Sequence, residues 1–290
     1  MTRVGITLPS FREDPDIPIA VAVAADAAGL DGVFAYDHLF RVARDGTRRP
    51  ALECTTLLAA TAVETERVEL GTLALRASLR PAATLAVALD TLQRIAGPRL
   101  VATIGAGDGE SRQENESYGL GFGTLTGRVE RLGATTAALA GRGYPVWVGG
   151  SARHVGAVAA RADGWNRWGV DPATFATELA SVRGLAVEAH RAPEAITPSW
   201  GGLVVLAATD RQAEEKAGRL DAGPDVLVGG VDRLVAGLGA YVDAGADWVI
   251  VGPLDSSDPE NATRLGEVVS RLADRSPRDG DSGAGAAPPR

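Results

Sequence analysis

The chain has 290 residues, of which 45% are hydrophobic and 23% are charged, the balance of an ordinary globular protein. A formal net charge of −8 at pH 7 disfavours nonspecific binding to nucleic acid, which requires clustered cations. A single cysteine excludes an internal disulfide or a cysteine-based metal cluster, and neither a membrane span nor a secretion signal is indicated. We therefore expect a cytoplasmic protein, without a metal site, that acts on a small molecule.

Short apolar runs that end in turns predict eight strands, at residues 4–8, 32–35, 68–74, 100–104, 146–148, 163–166, 202–206 and 248–251. Apolar residues at three- and four-residue spacing predict helices between them, among them 19–28, 55–63, 82–95, 151–161, 174–190, 211–220 and 233–244. Alternating strands and helices indicate an α/β protein, a (β/α)8 TIM barrel, with a doubly wound open sheet as the alternative.

Two parts of the chain differ in composition. Residues 1–275 carry the alternating pattern and are expected to form a single barrel domain. Residues 276–290 contain no large apolar side chain and cannot bury enough surface to repay the entropy of ordering. We expect those residues to form a disordered tail.

The loop after the second predicted strand contains a candidate catalytic pair. Functional residues of a TIM barrel lie in the loops that follow the strands, and His38 follows such a strand whereas His154 and His190 fall in predicted helices. Asp37 is placed beside it to orient or charge-pair the imidazole. Histidine suits proton transfer near neutral pH, although a loop histidine with a purely structural hydrogen bond is the alternative.

Small residues follow the fourth and fifth predicted strands. Gly105, Gly107 and Asp108 would let a planar ligand or its phosphate chain approach the backbone, with a simple tight turn as the alternative; the spacing is not that of a dinucleotide-binding loop. Gly149–Ser151 precede a helix, whose free amides and positive dipole end favour an anion. The sequence predicts its best phosphate site there.

The sixth predicted strand ends in aromatic and polar side chains, with Trp165, Asn166, Arg167 and Trp168 in succession. Indoles provide flat apolar walls for a ring-shaped ligand, although tryptophans also complete cores and subunit contacts. This segment is a candidate for cofactor binding.

Together these motifs resemble the bacterial luciferase-like superfamily of flavin- and deazaflavin-dependent oxidoreductases, particularly its coenzyme F420-dependent members. The resemblance spans about residues 4–272 and rests on YDHL at 36–39, on the segment beginning LGTLALRASLRP at 70–110, on PVWVGGS at 145–151 and on ADGWN at 162–166. It implies a TIM barrel, usually assembled as a homodimer, with the cofactor ring at the carboxyl ends of the strands.

The resemblance also implies roles for individual residues. A non-proline cis peptide bond is expected at Leu73–Ala74, behind the central ring of the cofactor. Asp37 and His38 match the position that touches the deazaflavin ring, with the histidine near the site of hydride transfer. The positions matching the ribityl-phosphate turn and its surroundings are Gly149, Gly150, Ser151, Trp165 and Asn166.

The leading hypothesis is an F420-dependent oxidoreductase that passes hydride between carbon 5 of the deazaflavin and a small organic substrate, with His38 as proton donor or acceptor. One alternative is an FMN-dependent two-component monooxygenase that receives reduced flavin from a separate reductase. The other is a non-catalytic flavin or metabolite carrier. The segment 131–144, shorter than in most relatives, keeps this last alternative open because it could reshape the cavity mouth.

Overall fold

The computed structural model describes residues 2–42, 46–109 and 111–275. The predicted tail at 276–290 lies outside the described residues. The strands are β1 (Arg3–Thr7), β2 (Gly32–Ala35), β3 (Phe40–Val42), β4 (Arg48–Pro50), β5 (Glu69–Thr72), β6 (Leu75–Arg76), β7 (Leu100–Gly105), β8 (Val146–Gly149), β9 (Gly164–Trp168), β10 (Thr197–Leu206), β11 (Leu227–Gly229) and β12 (Trp248–Pro253).

Eight of these strands close a parallel barrel. Their order around it is β1, β2, β5, β7, β8, β9, β10, β12 and back to β1. The pairing of β9 with β10, from Thr197 opposite Gly164 to Gly201 opposite Trp168, completes the ring. Each of the eight predicted strands corresponds to one barrel strand, so the prediction of a (β/α)8 TIM barrel is confirmed and the open sheet is excluded.

Helices connect the strands and surround the barrel. They are α1 (Asp16–Ala28), α2 (Cys54–Glu64), α3 (Ala82–Ala96), α4 (Ser111–Ser117), α5 (Leu125–Leu139), α6 (Ala152–Ala159), α7 (Pro172–Glu188), α8 (Asp210–Arg219), α9 (Val231–Asp243) and α10 (Glu260–Arg275), with short 3₁₀ turns at Gly97–Arg99 and Pro193–Ala195. Within the described ranges, no helix combines the length and apolar character that crossing a membrane requires.

Aromatic side chains fill the inside of the barrel. Phe34, Trp147 and Trp248 are at most 2% exposed and pack together with smaller apolar residues. Glycines on neighbouring strands make room for these rings: a Cβ built at Gly71 would lie 2.1 Å from the Phe34 ring, and one at Gly164 would lie 2.4 Å from Trp147. A second, larger core lies between the strands and the helices. The filled interior leaves the strand ends as the place for a ligand.

Several elements go beyond the sequence prediction. The strands β3 and β4 form a separate antiparallel hairpin after β2, and β11 adds to the outside of β10. The helices named from the sequence also leave out α4, α5 and α10. The hairpin and α4 both lie at the carboxyl end of the barrel and contribute residues to its cavities.

Candidate functional site

A cavity of about 720 Å³ lies at the carboxyl ends of the barrel strands. We call it the central cavity. It brings together residues that the sequence scatters over more than a hundred positions: His38, Asp37, Leu73, Ala74, Gly105, Gly107, Asp108, Gly149, Gly150, Ser151 and Asn166 all line it. Of the predicted site residues, only Trp165 is missing from this lining.

The wall between β5 and β8 is built from small residues. The Leu73–Ala74 peptide bond is cis, which confirms the expectation from the resemblance. A Cβ built at Gly105 would lie 3.3 Å from the Cβ of Ala74, and one built at Gly149 would lie 3.4 Å from the same atom. Since neither glycine has a side chain, the backbones of three neighbouring strands present a surface against which a flat ring can lie.

His38 is held at the edge of this cavity by Glu114. The Nδ1 atom of His38 lies 2.6 Å from Oε1 of Glu114, and the His38 side chain remains 26% exposed. Glu114, on α4, also accepts hydrogen bonds from the Leu39 amide at 2.7 Å and from Nη2 of Arg76 at 2.9 Å. Both Glu114 and Arg76 are buried, so the imidazole is fixed by a carboxylate that is itself fixed on two sides.

The charge of Glu114 is stabilised by these contacts. Burial raises the pKa of the carboxyl group, but the hydrogen bonds from His38 and Leu39 and the charge of Arg76 outweigh it, so the pKa of Glu114 is lowered overall. An ionised Glu114 accepts the Nδ1 proton of His38 and favours the imidazole with a proton on that nitrogen.

Asp37 has different partners from those expected. Its two carboxylate oxygens accept hydrogen bonds from Nη1 and Nη2 of Arg80 at 2.8 and 2.9 Å. The Arg76 amide adds a third hydrogen bond at 2.8 Å, and Asp37 is only 3% exposed. The predicted pairing of Asp37 with the His38 imidazole is therefore wrong. Asp37 and His38 are adjacent in the chain, but their side chains point in different directions. The Asp37 carboxylate connects the loop after β2 with the segment after β5.

Asp108 begins the short helix that carries Glu114. Its Oδ1 atom accepts hydrogen bonds from the amide and the hydroxyl of Ser111 at 2.9 and 2.8 Å, as a helix-capping side chain does. Burial raises the pKa of Asp108, and the hydrogen bonds from Ser111 lower it further than burial raises it. Gly107, with a φ of +77°, takes the left-handed turn before this cap. Asp108 thus has a structural partner, although it also lines the cavity.

The turn before α6 is less open to an anion than its sequence suggests. The Gly150 amide donates to the carbonyl of Asn166 at 3.1 Å, and the Ala152 amide donates to Oε2 of Glu178 at 2.6 Å. The expectation of free amides is wrong at these two positions. A carboxylate of the chain already occupies the positive end of the helix dipole, and its charge is paired with Arg167 at 3.0 Å.

The other groups of this turn do face the central cavity. Gly150 has a φ of +139°, a conformation that side chains rarely adopt. Ser151 lines the cavity, and its hydroxyl lies 3.1 Å from Nδ1 of His154. Asn166 also lines the cavity, and its amide nitrogen donates to the Ser199 hydroxyl at 2.9 Å.

The Trp165 indole is not at the cavity. It is fully buried in the outer core, stacks on Phe175 with 5.5 Å between ring centroids, and donates from Nε1 to the carbonyl of Gly150 at 2.9 Å. Side chains alternate between the two faces of a strand, so Trp165 points toward the helices while Asn166 and Trp168 point inward. The predicted contact of the Trp165 side chain with a cofactor is corrected accordingly, and Trp168 is the indole that lines the cavity.

Sequence reasoning missed the residues that hold the site together: Arg76, Arg80 and Glu114. The strand alternation around Trp165 and Trp168 was a usable signal. No sequence pattern indicated Glu114, because it lies on a short polar helix, 76 residues along the chain from His38. Among the described residues, no group of three or more His, Cys, Asp and Glu side chains is arranged to hold a metal ion.

Residues 2–141 match the family model of the luciferase-like monooxygenases. A curated relative, an F420-dependent glucose-6-phosphate dehydrogenase from Beutenbergia cavernae, is 38% identical over 115 residues, which cover 39% of this chain and 33% of the relative. The match thus spans about a third of the relative's length.

Solved structures share the fold over nearly the whole chain. An F420-dependent secondary alcohol dehydrogenase in complex with an F420–acetone adduct has a TM-score of 0.81 at 13% identity, covering 93% of this chain and 99% of that one. A riboflavin lyase with modified FMN and riboflavin has a TM-score of 0.78 at 12% identity, covering 95% and 92%. At these identities the likeness shows the fold. Residues 2–141 thus carry the sequence of the luciferase-like monooxygenase family, and the described chain has the corresponding (β/α)8 fold, which confirms the resemblance drawn from the motifs.

Proposed function

We propose that this protein is an F420-dependent oxidoreductase that transfers hydride to or from a small organic substrate. One observation carries the proposal: an imidazole held by a buried carboxylate stands beside the surface formed by Ala74, Gly105 and Gly149 in the central cavity. The F420-dependent relative with 38% identity over 115 residues supports the choice of cofactor.

The residues present fit a flat heterocycle. Side chains at Gly105 or Gly149 would rise from the wall that faces the cavity, and their absence leaves it level. The volume of about 720 Å³ is in the range of cofactor and ligand pockets. The residues that would hold the ring are Ala74, Gly105 and Gly149, and those near its polar chain would be Ser151 and Asn166.

A bound deazaflavin would supply the hydride chemistry, and the chain would supply position and proton transfer. Nδ1 of His38 is hydrogen-bonded to the Glu114 carboxylate, whereas no described residue forms a hydrogen bond with Nε2 of His38. That second nitrogen is therefore the atom through which His38 would give a proton to, or take one from, a substrate oxygen. Arg76 and the Leu39 amide keep Glu114 in place and so keep the imidazole from rotating away.

An FMN-dependent monooxygenase served by a separate reductase is the second candidate. The fold similarity to a structure that contains modified FMN favours it. The two candidates differ in the cofactor that the central cavity accepts, so binding separates them directly.

Titration of the purified chain with F420 and with FMN, followed by ring absorbance and fluorescence, tests the proposal. We expect saturable binding of F420, with FMN at least about tenfold weaker, equivalent to about 1.4 kcal/mol. Preferred binding of FMN would support the monooxygenase instead. Tight F420 binding without turnover of any small alcohol, aldehyde or phosphorylated sugar would point to a carrier.

His38→Asn tests the catalytic role of the imidazole. Loss of a general acid or base lowers a rate by about 10²- to 10⁴-fold, so the single-turnover rate of hydride transfer should fall in that range while the Kd for F420 changes less than about threefold. His190→Asn is the matched control, because His190 is exposed at the end of α7, away from the cavity, in the left-handed region that Asn tolerates. Equal losses of rate and affinity in His38→Asn would make His38 a binding residue.

A further inference from the structure

A second cavity, of about 820 Å³, adjoins the central cavity. We call it the outer cavity. Tyr36 and Trp168 line both cavities, and their rings meet edge to face with 6.0 Å between centroids. The remainder of the outer cavity is formed mainly by β1, β10, β12, the loops after β1 and β12, the β3–β4 hairpin and the segment after α8. A molecule in the outer cavity would thus lie next to whatever occupies the central one.

Two arginines of the hairpin lie side by side in the lining of the outer cavity. Arg41 and Arg49 are direct partners in the antiparallel register of β3 and β4, and both line this cavity. Directly opposite residues have their side chains on the same face of the hairpin, about 5 Å apart at the backbone, and like charges in that arrangement destabilise a hairpin. An anion between the two side chains would relieve this repulsion.

A third arginine, Arg12, adds to the same lining. Its Nε and Nη2 atoms donate to the Ser257 hydroxyl at 2.8 and 2.6 Å, so its hydrogen-bond partner there is neutral. Arg41 stands over the Phe11 ring, 5.4 Å from the centroid. Within the described residues, no carboxylate forms an ion pair with any of the three arginines.

Three other arginines near the barrel mouth are neutralised by carboxylates. Arg76 is paired with Glu114, Arg80 with Asp37, and Arg167 with Glu178. The outer cavity also contains Asp221 and Asp225, both on the segment that follows α8.

Burial raises the pKa of Tyr36 to about 12, and the charge of Arg41 acts in the opposite direction.

We propose that Arg12, Arg41 and Arg49 bind an anionic group of the substrate, a carboxylate or a phosphate, in the outer cavity. Guanidinium groups suit these planar or tetrahedral anions because they donate paired hydrogen bonds as well as charge. The inference rests on the proposed function, since it assigns the central cavity to the cofactor ring and the outer cavity to the molecule that exchanges hydride with it. The substrate class is thus a small organic acid or phosphate ester.

The hairpin supplies a matched control. Arg48 lies opposite Val42 in the register, so its side chain occupies a different position from the Arg41–Arg49 pair. It stands over the Phe40 ring at 4.3 Å and donates to the Ser117 hydroxyl at 3.0 Å, and it does not line the outer cavity. Arg48→Gln removes one positive charge from the same hairpin at a residue outside the lining of the outer cavity.

Calorimetric titration with inorganic phosphate and with succinate, at low and high sodium chloride, tests the proposal. We expect saturable binding of at least one probe, weakened by salt because Arg41 and Arg49 are exposed and Arg12 is half-buried. The double variant Arg41→Gln/Arg49→Gln should bind at least about tenfold more weakly, and Arg48→Gln should bind within about twofold of the wild type. The probe that binds more tightly distinguishes a phosphate from a carboxylate substrate.

A parallel F420 titration separates the outcomes. Unchanged F420 affinity in the double variant supports a substrate site, whereas a joint loss of F420 and phosphate binding would assign the arginines to the acidic tail of the cofactor and overturn the proposal. Equal phosphate binding in the wild type and the double variant would also overturn it. Arginine-dependent phosphate binding in a chain that binds neither F420 nor FMN would overturn the proposed function and leave the anion site standing. If the double variant fails to fold, Arg12→Gln takes its place.

Discussion

Glu114 connects three parts of the chain through one carboxylate. It accepts the Nδ1 contact of His38, the Leu39 amide and the Arg76 guanidinium, while Arg76 in turn donates from Nε to the carbonyl of Asp37 at 2.9 Å. Removing one member of a buried charged network leaves its partners unsatisfied. The position of His38 therefore depends on Glu114, which lies on α4 and not on a barrel strand.

Glu114→Gln should lower the free energy of unfolding by about 1.5–3 kcal/mol at pH 7, the range for hydrogen bonds to charged groups. The pKa of Glu114 is lowered in the folded state from an ordinary value of 4.5. A lowered folded-state pKa stabilises the fold above the unfolded value, and this contribution is lost as the pH falls through the folded value. The difference between wild type and variant should therefore be full at pH 7 and shrink below about pH 4.5.

Urea unfolding at several pH values measures this difference. Glu116→Gln is the control on the same helix, because Glu116 is 59% exposed in its pair with Arg112 and should change the free energy by less than about 1 kcal/mol. A Glu114→Gln effect that stays constant from pH 7 to pH 4 would show that the charge of Glu114 does not stabilise the fold.

At the residue scale, local sequence identified the groups that lie directly at strand ends. His38, Gly105 and Gly149 all follow or end a barrel strand, and the structure places them in one cavity. The partner of His38 could not be predicted, since adjacency suggested Asp37 while the true contact comes from another loop. Side-chain direction within a loop depends on backbone angles that no short-range pattern encodes.

At the scale of elements, buried parallel strands were the most predictable parts. Each is a short apolar run between turns, and such runs are typical of strands covered on both faces. The β3–β4 hairpin could not be predicted in the same way, because its three-residue strands are mostly exposed and end in Pro50. The hairpin carries two of the three arginines of the outer cavity, Arg41 and Arg49.

Two glycine-to-alanine substitutions test where the fold requires a glycine backbone conformation and where it does not. Gly150→Ala should destabilise the chain by about 1–3 kcal/mol, since Gly150 has a φ of +139° and an added Cβ would lie 3.2 Å from Val155. Gly184→Ala, in the exposed interior of α7 with nothing within 4 Å of an added Cβ, should stabilise it by about 0.5–1 kcal/mol. Thermal unfolding of both variants gives the signs; a neutral or stabilising Gly150→Ala would contradict the account of the turn before α6.

At the scale of the whole molecule, closure of the barrel brings loops that are distant in the sequence together at one site. The β9–β10 pairing completes the ring, and all eight parallel strands then deliver their carboxyl ends to one face. Aromatic rings fill the interior below that face, so a ligand is held at the rim. The alternation of strands and helices was sufficient to predict this arrangement, because few topologies satisfy it.

The central claim is that a single flat ring lies against Ala74, Gly105 and Gly149. The most direct test is an F420 fluorescence titration of the wild type and Gly149→Val. The first added carbon would lie 3.4 Å from Ala74 and 3.6 Å from Thr103, which is ordinary contact at the end of a strand, so the variant should fold while its methyl groups occupy the cavity. We predict saturable binding to the wild type and a loss of at least about 100-fold, or about 2.7 kcal/mol, in a variant with unchanged thermal unfolding. Equal F420 affinity in the two proteins would contradict the account.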